Sequence, residues 1–262
     1  MLAPHVGKLL GKLEWACVGC VGGLSELKHI QARTIVANDL HKLVINLANV
    51  TRDPKLGPKL WRRLRRDPFH VDDFEAAQQG CRDFLLDSAG PMDEESRINW
   101  AEYYFRAAWM GRSETVGTDK EFDGNLSLRF TANGGDSVVR FRGAIEALRT
   151  WRKILERVSF TCMDIFELFP KIYDEDGYGF YIDPPFPTKG RQYRHKFSEA
   201  DQRRLAHALH TGFRKLRIVC RFHDDPLIRE LYPRETWQWH FFEGRNAANK
   251  STPEVLISRR CA

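Results

Sequence analysis

Tyr178-Gly179-Phe180-Tyr181-Ile182 runs straight into Asp183-Pro184-Pro185-Phe186, and this junction constrains the chain more than any other stretch. Five aromatic, small and β-branched residues in a row read as a short buried strand. Proline carries no N–H and holds φ near about −65°, so the two prolines end the strand in a stiff corner that offers acceptors without donors. A carboxylate, Asp183, stands at the strand's carboxyl end, and Phe186 adds a flat apolar face beside it. Acceptors next to a stacking face suit a planar heterocycle that bears an amino group. The plain alternative is a Pro-Pro turn that only reverses the chain.

The bulk of the chain leaves room for such a site. With 262 residues and 42% hydrophobic residues it can bury a full core, as one large domain or two small ones. No apolar run reaches the ~18 residues that a membrane span needs. The start, Met1 to Leu13, has no continuous signal-peptide core, because Lys8 and Lys12 interrupt it. A formal net charge of +6 leans toward a polyanionic partner. The six cysteines form no repeating framework and read as small buried thiols of a reducing cytoplasm. Cys17-Val18-Gly19-Cys20 has a CxxC spacing, but no second pair accompanies it, so neither zinc nor redox use is expected.

Two earlier segments point to the same kind of sheet. Glu14 to Gly23 leads from apolar residues into a glycine-rich turn around Gly19, and Leu24 to Ile30 reads as the amphipathic helix of a βα unit. The next strand, Thr34-Ile35-Val36-Ala37, ends in Asn38-Asp39-Leu40 ahead of a helix that carries Leu43, Val44 and Leu47. Asp39 lies twenty positions after Gly19, where nucleotide-binding sheets place a carboxylate on ribose hydroxyls. It equally suits a helix N-cap.

From Thr51 to about Arg157 the character changes, with four prolines and many charges. Lys59 to Arg66 is a basic run around Trp61 and Leu64, either a solvated helix face or a grip on phosphates. Asn99 to Gly111 reads as an aromatic amphipathic helix that Arg112 follows. Leu126 to Thr131 and Val138 to Arg142 alternate on either side of Asn133-Gly134-Gly135-Asp136, which predicts a small hairpin with Arg129 and Arg140 on one face. A helix with Ile145, Leu148, Ile154 and Leu155 as its core stripe then spans 141–158.

The sheet resumes at Ser159 to Cys162, followed by Asp164-Ile165-Phe166. Beyond Phe186, the segment Pro187 to Phe197 is a cationic loop carrying Lys189, Arg191, Tyr193, Arg194 and His195, placed to touch phosphates or fold over a base. Ser198 and Asp201 form a capping box that opens a helix with Leu205, Ala206 and Leu209 on its apolar side. Leu216 to Cys220 is a further strand, and 236–242 and 253–258 read as a closing antiparallel pair. His223-Asp224-Asp225 suggests a metal-dependent nuclease, but neighbouring residues on a strand point to opposite sides and converge poorly. A loop over the site fits that stretch better.

Asp183-Pro184-Pro185-Phe186 resembles the Asp-Pro-Pro-Tyr/Phe signature of amino-group DNA methyltransferases, and four further stretches are similar to the Dam-like adenine-specific branch common in phages and prophages. Asn38-Asp39-Leu40 resembles the family's Asn-Asp-Leu/Ile-Asn step, and Asp164-Ile165-Phe166 its Asp-Ile/Ala-Phe step. Pro4-His5-Val6-Gly7-Lys8 resembles its Pro-Tyr-x-Gly-Gly-Lys start, one residue short and with His5 for Tyr. Asn99 to Arg112 resembles the aromatic helix and turn ahead of its recognition segment. Departures are Ala16-Cys17 where the family has Pro-Phe, and Phe186 where it more often has Tyr.

The resemblance implies an α/β fold: a Rossmann-like methyltransferase sheet with an antiparallel edge hairpin, over residues 1–51 and 156–262. An inserted, mostly helical target-recognition domain with a small hairpin would occupy 52–155. It implies S-adenosyl-L-methionine as cofactor, held by His5, Lys8, Cys17, Gly19, Asp39, Asp164, Ile165 and Asp183. Asp183, Pro184, Pro185 and Phe186 would form the catalytic corner. Double-stranded DNA would be the partner, touched by Arg112, Arg129, Arg140, Lys189, Arg191, Tyr193 and Arg194, with no metal and no membrane. The enzyme would be cytoplasmic, in a bacterium or phage-infected cell, and would methylate the amino group of a flipped adenine. Cytosine as target, or a DNA-binding relative that has lost catalysis, stay open.

Overall fold

The computed structural model describes residues 2–67, 69–87, 92–111, 118, 120–128, 136–187, 194–245 and 251–259. In chain order the elements are α1 (Ala3–Leu10), β1 (Lys12–Val18), β2 (Gln31–Asn38), α2 (Lys42–Arg52), α3 (Leu56–Arg66), α4 (Val71–Asp87), α5 (Glu94–Met110), α6 (Ser137–Leu155), β3 (Val158–Thr161), α7 (Ile165–Leu168), β4 (Tyr178–Ile182), α8 (Glu199–Thr211), β5 (Arg217–His223), α9 (Pro226–Leu231), β6 (Trp237–Arg245) and β7 (Ser251–Arg259). They form two compact units, Met1–Leu40 with Val158–Ala262, and His41–Arg157. The first is α/β; the described part of the second is mostly helical.

The sheet of the α/β unit has seven strands in the order β3-β2-β1-β4-β5-β7-β6. The first five run parallel, while β7 pairs antiparallel with both β5 and β6. The antiparallel edge pair expected from 236–242 and 253–258 is present as β6 and β7. Strand β4 reads YGFYI and is buried along nearly its whole length, as strands covered on both faces are. Its core neighbours include Cys17, Ile165, Leu205, Leu209, Ile218, Phe222 and Trp237. Each such side chain contributes about 1.5–3 kcal/mol by leaving water. At the amino edge, both carboxylate oxygens of Asp174 accept from the backbone N–H groups of Arg214, Lys215 and Leu216, which fixes the entry to β5.

In the helical unit, Leu56, Leu60 and Leu64 of α3 pack with Phe74, Phe105, Phe141 and Ile145. Arg106 is buried and donates to Asp67 at 3.0 Å and to Glu102 at 3.0 Å, so its charge is balanced where it sits. The aromatic helix ends where the sequence predicts it, with α5 closing on Gly111.

Two expectations are corrected. Leu24 to Ile30 forms no α-helix: only Ser25–Lys28 make a 3-10 turn before β2 opens at Gln31, and Leu24 sits at φ 63. The left-handed residue breaks any helical path, and too few residues follow it for an α-helix. Nor is there a hairpin over 126–142, because Ser137–Leu155 is one helix whose N-cap, Asp136, accepts from Val138 N–H. Phe141, Ala144 and Ile145 bury on one side at helical spacing, which prevails over the local alternation of Val138 to Arg142. Arg140 is therefore an exposed helical residue, and Arg129 lies outside the described residues.

Candidate functional site

The register lines up one edge of the α/β unit. Val18 pairs with Ala37 and Tyr181, Asn38 with Thr161, and Ile182 with Cys220. The residues that follow, Gly19, Asp39, Cys162, Asp183 and Arg221, thus gather at the carboxyl ends of the parallel strands. The order of connection reverses between β1 and β4, and ligands of open α/β sheets bind at such a point.

Asn38 holds the loops at this edge together. Its Nδ2 donates to the carbonyls of Gly19 at 3.1 Å and Met163 at 2.9 Å, and its Oδ1 accepts from Thr161 Oγ1 at 2.8 Å and Met163 N–H at 3.1 Å. It is 2% exposed, so this is one fully used buried amide. The sequence reading passed over it in favour of its neighbour. Asp39 accepts from Gly22 N–H at 2.8 Å through Oδ2, bracing the glycine turn; the N-cap of α2 is His41. Asp164 caps α7, its Oδ1 accepting from Phe166 N–H at 2.8 Å. Gly19 is required by packing: a Cβ there would lie 2.8 Å from both Ile165 and Phe180 side chains.

The charges of three aspartates act on one thiol. Burial raises the Cys20 thiol well above its ordinary range, and the charges of Asp39, Asp183 and Asp164 push it further the same way. Cys17 points into the core with no exposure, its thiol likewise raised by burial. Ile165 is buried beside it in that core. His5 lies on the exposed face of α1, its ring 4.6 Å from that of Phe242, and Lys8 is exposed on the same helix.

At the Asp-Pro-Pro-Phe corner, Asp183 Oδ2 accepts from Arg221 Nη1 at 2.8 Å, while no described residue donates to Oδ1 or to the Pro184 carbonyl. Pro185 is held from below: Gln202 of α8, with 0% exposure, donates through Nε2 to its carbonyl at 2.6 Å. Phe186 leans against His223, ring centres 4.1 Å apart. Burial pushes the Asp183 carboxyl up to about 6; Arg221 pulls against that, and the charges of Glu26 and Glu254 add to it. Glu26, Asn38, Gln202, Arg221 and Glu254 all escaped the sequence reading. For Asn38 and Arg221 the available signal was a polar residue inside or directly after an apolar run; Glu26, Gln202 and Glu254 carry no such local signal.

Asp224 pairs with Arg229 and Asp225 caps α9, so neither is aimed at a shared ion. Among the described residues no group of three His, Cys, Asp or Glu could hold a metal, and no helix is long and apolar enough to cross a membrane. Of the expected DNA contacts, Arg112, Lys189, Arg191 and Tyr193 lie outside the described residues. Arg194 Nε is buried and has no hydrogen-bond partner among the described residues.

The helical unit carries its own basic surface. A groove of about 320 Å³ is lined by residues that include Trp61, Arg62, Leu148, Arg149 and Arg152. The Arg149 guanidinium stacks 3.9 Å above the Trp61 ring. Lys59, Arg62 and Arg149 have no carboxylate partner among the described residues, whereas Arg63, Arg65 and Arg152 do.

The fold defines the class, an α/β protein whose mixed seven-stranded sheet is compatible with a Rossmann-like fold. A scan of protein-family models finds none that matches the chain, and a search of the curated proteins finds no match.

Proposed function

We propose that this protein is a DNA methyltransferase that transfers a methyl group from S-adenosyl-L-methionine to the exocyclic amino group of an adenine flipped out of duplex DNA. The observation that carries the reading is the corner at the end of β4. Two acceptors, Asp183 Oδ1 and the Pro184 carbonyl, have no donor among the described residues, and Phe186 follows two residues later in the chain. An aromatic amine has two N–H bonds to give and a delocalised lone pair. Accepting both N–H bonds draws the lone pair back onto nitrogen, and positioning alone then lowers the barrier. Extrusion of the base costs a few kcal/mol, which stacking on Phe186 and the two edge bonds offset.

The residues present fit the proposed cofactor. When bound, it supplies a methyl group on a positively charged sulfur, and three carboxylates around Cys20 make this edge receptive to a cation. Asp39 suits ribose hydroxyls, and Asp164, whose Oδ2 has no described donor, suits an adenine amino group. The glycine turn contributes less than its sequence promised, since packing of Phe180 and Ile165 accounts for Gly19. Contacts to DNA phosphates are assigned to Arg194 and to Lys59, Arg62, Arg140 and Arg149 of the helical unit, which serves as the recognition domain.

The test is transfer of a labelled methyl group to unmethylated duplex DNA by the wild-type protein and by Asp183→Ala. Transfer by the wild type onto adenine, lost in a variant that keeps its circular dichroism, supports the assignment. Transfer that survives Asp183→Ala, or a wild type that neither binds S-adenosylmethionine in calorimetry nor methylates, overturns it.

A further inference from the structure

Among the described residues, Arg221 is the cation whose contacts reach the candidate catalytic carboxylate. It stands on β5 one residue beyond Cys220, and Cys220 pairs with Ile182, so its side chain emerges beside Asp183. One arm of the guanidinium, Nη1, donates to Asp183 Oδ2 at 2.8 Å. The other side is bound by β7: Nε and Nη2 donate to Glu254 Oε2 at 3.2 Å and 2.9 Å. A planar fork held at both ends has little freedom to turn, which a lysine in its place would keep. The arrangement engages Oδ2 of Asp183 and leaves Oδ1 without a donor among the described residues.

We propose that Arg221, braced by Glu254, is a positioning residue that selects which oxygen of Asp183 faces the amino group and keeps that carboxylate ionised. The inference rests on the methyltransferase reading for its catalytic meaning, but not for its structural content. A lone arginine beside the acceptor corner would also repel a cationic sulfur. Glu254 offsets that penalty, because the Arg221–Glu254 pair is neutral and the Asp183 carboxylate is left as the net charge of the three.

The groups that face Asp183 are Arg221 from β5, Glu254 from β7, Glu26 from the turn after β1, Cys20 beyond β1 and Tyr181 on its own strand. Among them only Arg221 favours the charged form. With a carboxyl at about 6, roughly nine-tenths is ionised at neutral pH. Removal of an adjacent opposite charge raises a carboxyl by about one to three pH units. Arg221→Met therefore moves the titration of Asp183 upward through neutrality, while Glu254→Gln moves it downward.

The experiment reads the Asp183 side-chain carboxyl by carbon-detected NMR across pH in the whole protein, for wild type, Arg221→Met, Arg221→Lys and Glu254→Gln. The same four proteins are assayed for methyl transfer against pH. Expected is a midpoint at least one pH unit higher in Arg221→Met, partly restored in Arg221→Lys, and lower than wild type in Glu254→Gln. The acid limb of transfer should follow, with a loss at pH 7 for Arg221→Met of about twofold if the midpoint rises by one pH unit and about tenfold if it rises by two. Shifts of opposite sign separate a charge effect from general damage, which would move both variants alike. An unchanged midpoint in folded Arg221→Met or in Glu254→Gln, or shifts of one sign in these two, overturns the proposal. Midpoints that shift as expected in a wild type without transfer uphold the Arg221–Asp183 coupling and sink the methyltransferase reading instead.

Discussion

Replacing Asn38 by alanine removes the amide that ties three loops at the carboxyl edge. Two carbonyls, of Gly19 and Met163, lose their donor, and Thr161 Oγ1 and Met163 N–H lose their acceptor. A net intramolecular hydrogen bond is worth about 0.5–1.5 kcal/mol, and a buried group left unpaired costs about 1–3 kcal/mol. The part-buried Met163 and Thr161 have access to water, so the expected loss is about 3 kcal/mol rather than the sum of four full penalties. With a urea slope of about 2 kcal/mol per molar, the midpoint of the α/β unit falls by about 1.5 M. Native-state hydrogen exchange read at amides of β1 to β5 measures this unit by itself. The Met163 amide should exchange faster than the strand amides do. Asn38→Asp should cost at least as much at neutral pH, because a carboxylate there faces two carbonyls without a proton to give. A loss below about 1 kcal/mol for Asn38→Ala would mean that water replaces the amide fully, and the claim that Asn38 organises the site would fail.

Two further outcomes follow from the geometry. Although burial alone would raise it, three backbone N–H donors hold the Asp174 carboxyl below its ordinary value. Its stabilising effect is therefore present above the unfolded-state range near pH 4 and is lost as pH falls through the lower folded value; Asp174→Asn should flatten stability against pH in that acid window, and an unchanged profile would refute the assignment. In the helical unit, Arg62→Glu with Arg149→Glu should weaken duplex DNA binding uniformly across sequences and reduce the log–log salt slope by about two, and an unchanged slope in titrations by fluorescence anisotropy would remove this surface from the interface.

The sequence displays what depends on neighbouring residues and hides what depends on distant ones. Strand β4 is legible because five consecutive residues fit a doubly covered strand, and the Ser198–Asp201 capping box because its two halves are three residues apart. The stretch Val138 to Arg142 misleads because its last four residues, V-R-F-R, fit a period of two. Only the longer window through Ile145 reveals the helical period. Asn133 to Asp136 has turn composition, yet Asp136 serves as an N-cap, a role that the same residue types fill. Arg221, Glu254 and Gln202 take their meaning from partners 38, 33 and 17 positions away. No local pattern encodes such pairings, so the acidic residues were visible as candidates while their wiring was not.

The bond from Gln202 to Pro185 has a consequence for variation in this chain. Successive residues of an α-helix are turned by about 100° about its axis, so inserting or deleting one residue in α8 ahead of Gln202 swings the amide away from the proline corner. Length changes between Pro187 and Ser198 leave that orientation intact, since α8 is anchored by its own cap and apolar face. Natural length differences among close homologues should accordingly collect before Ser198, and the first turn of α8 should keep its spacing to Gln202.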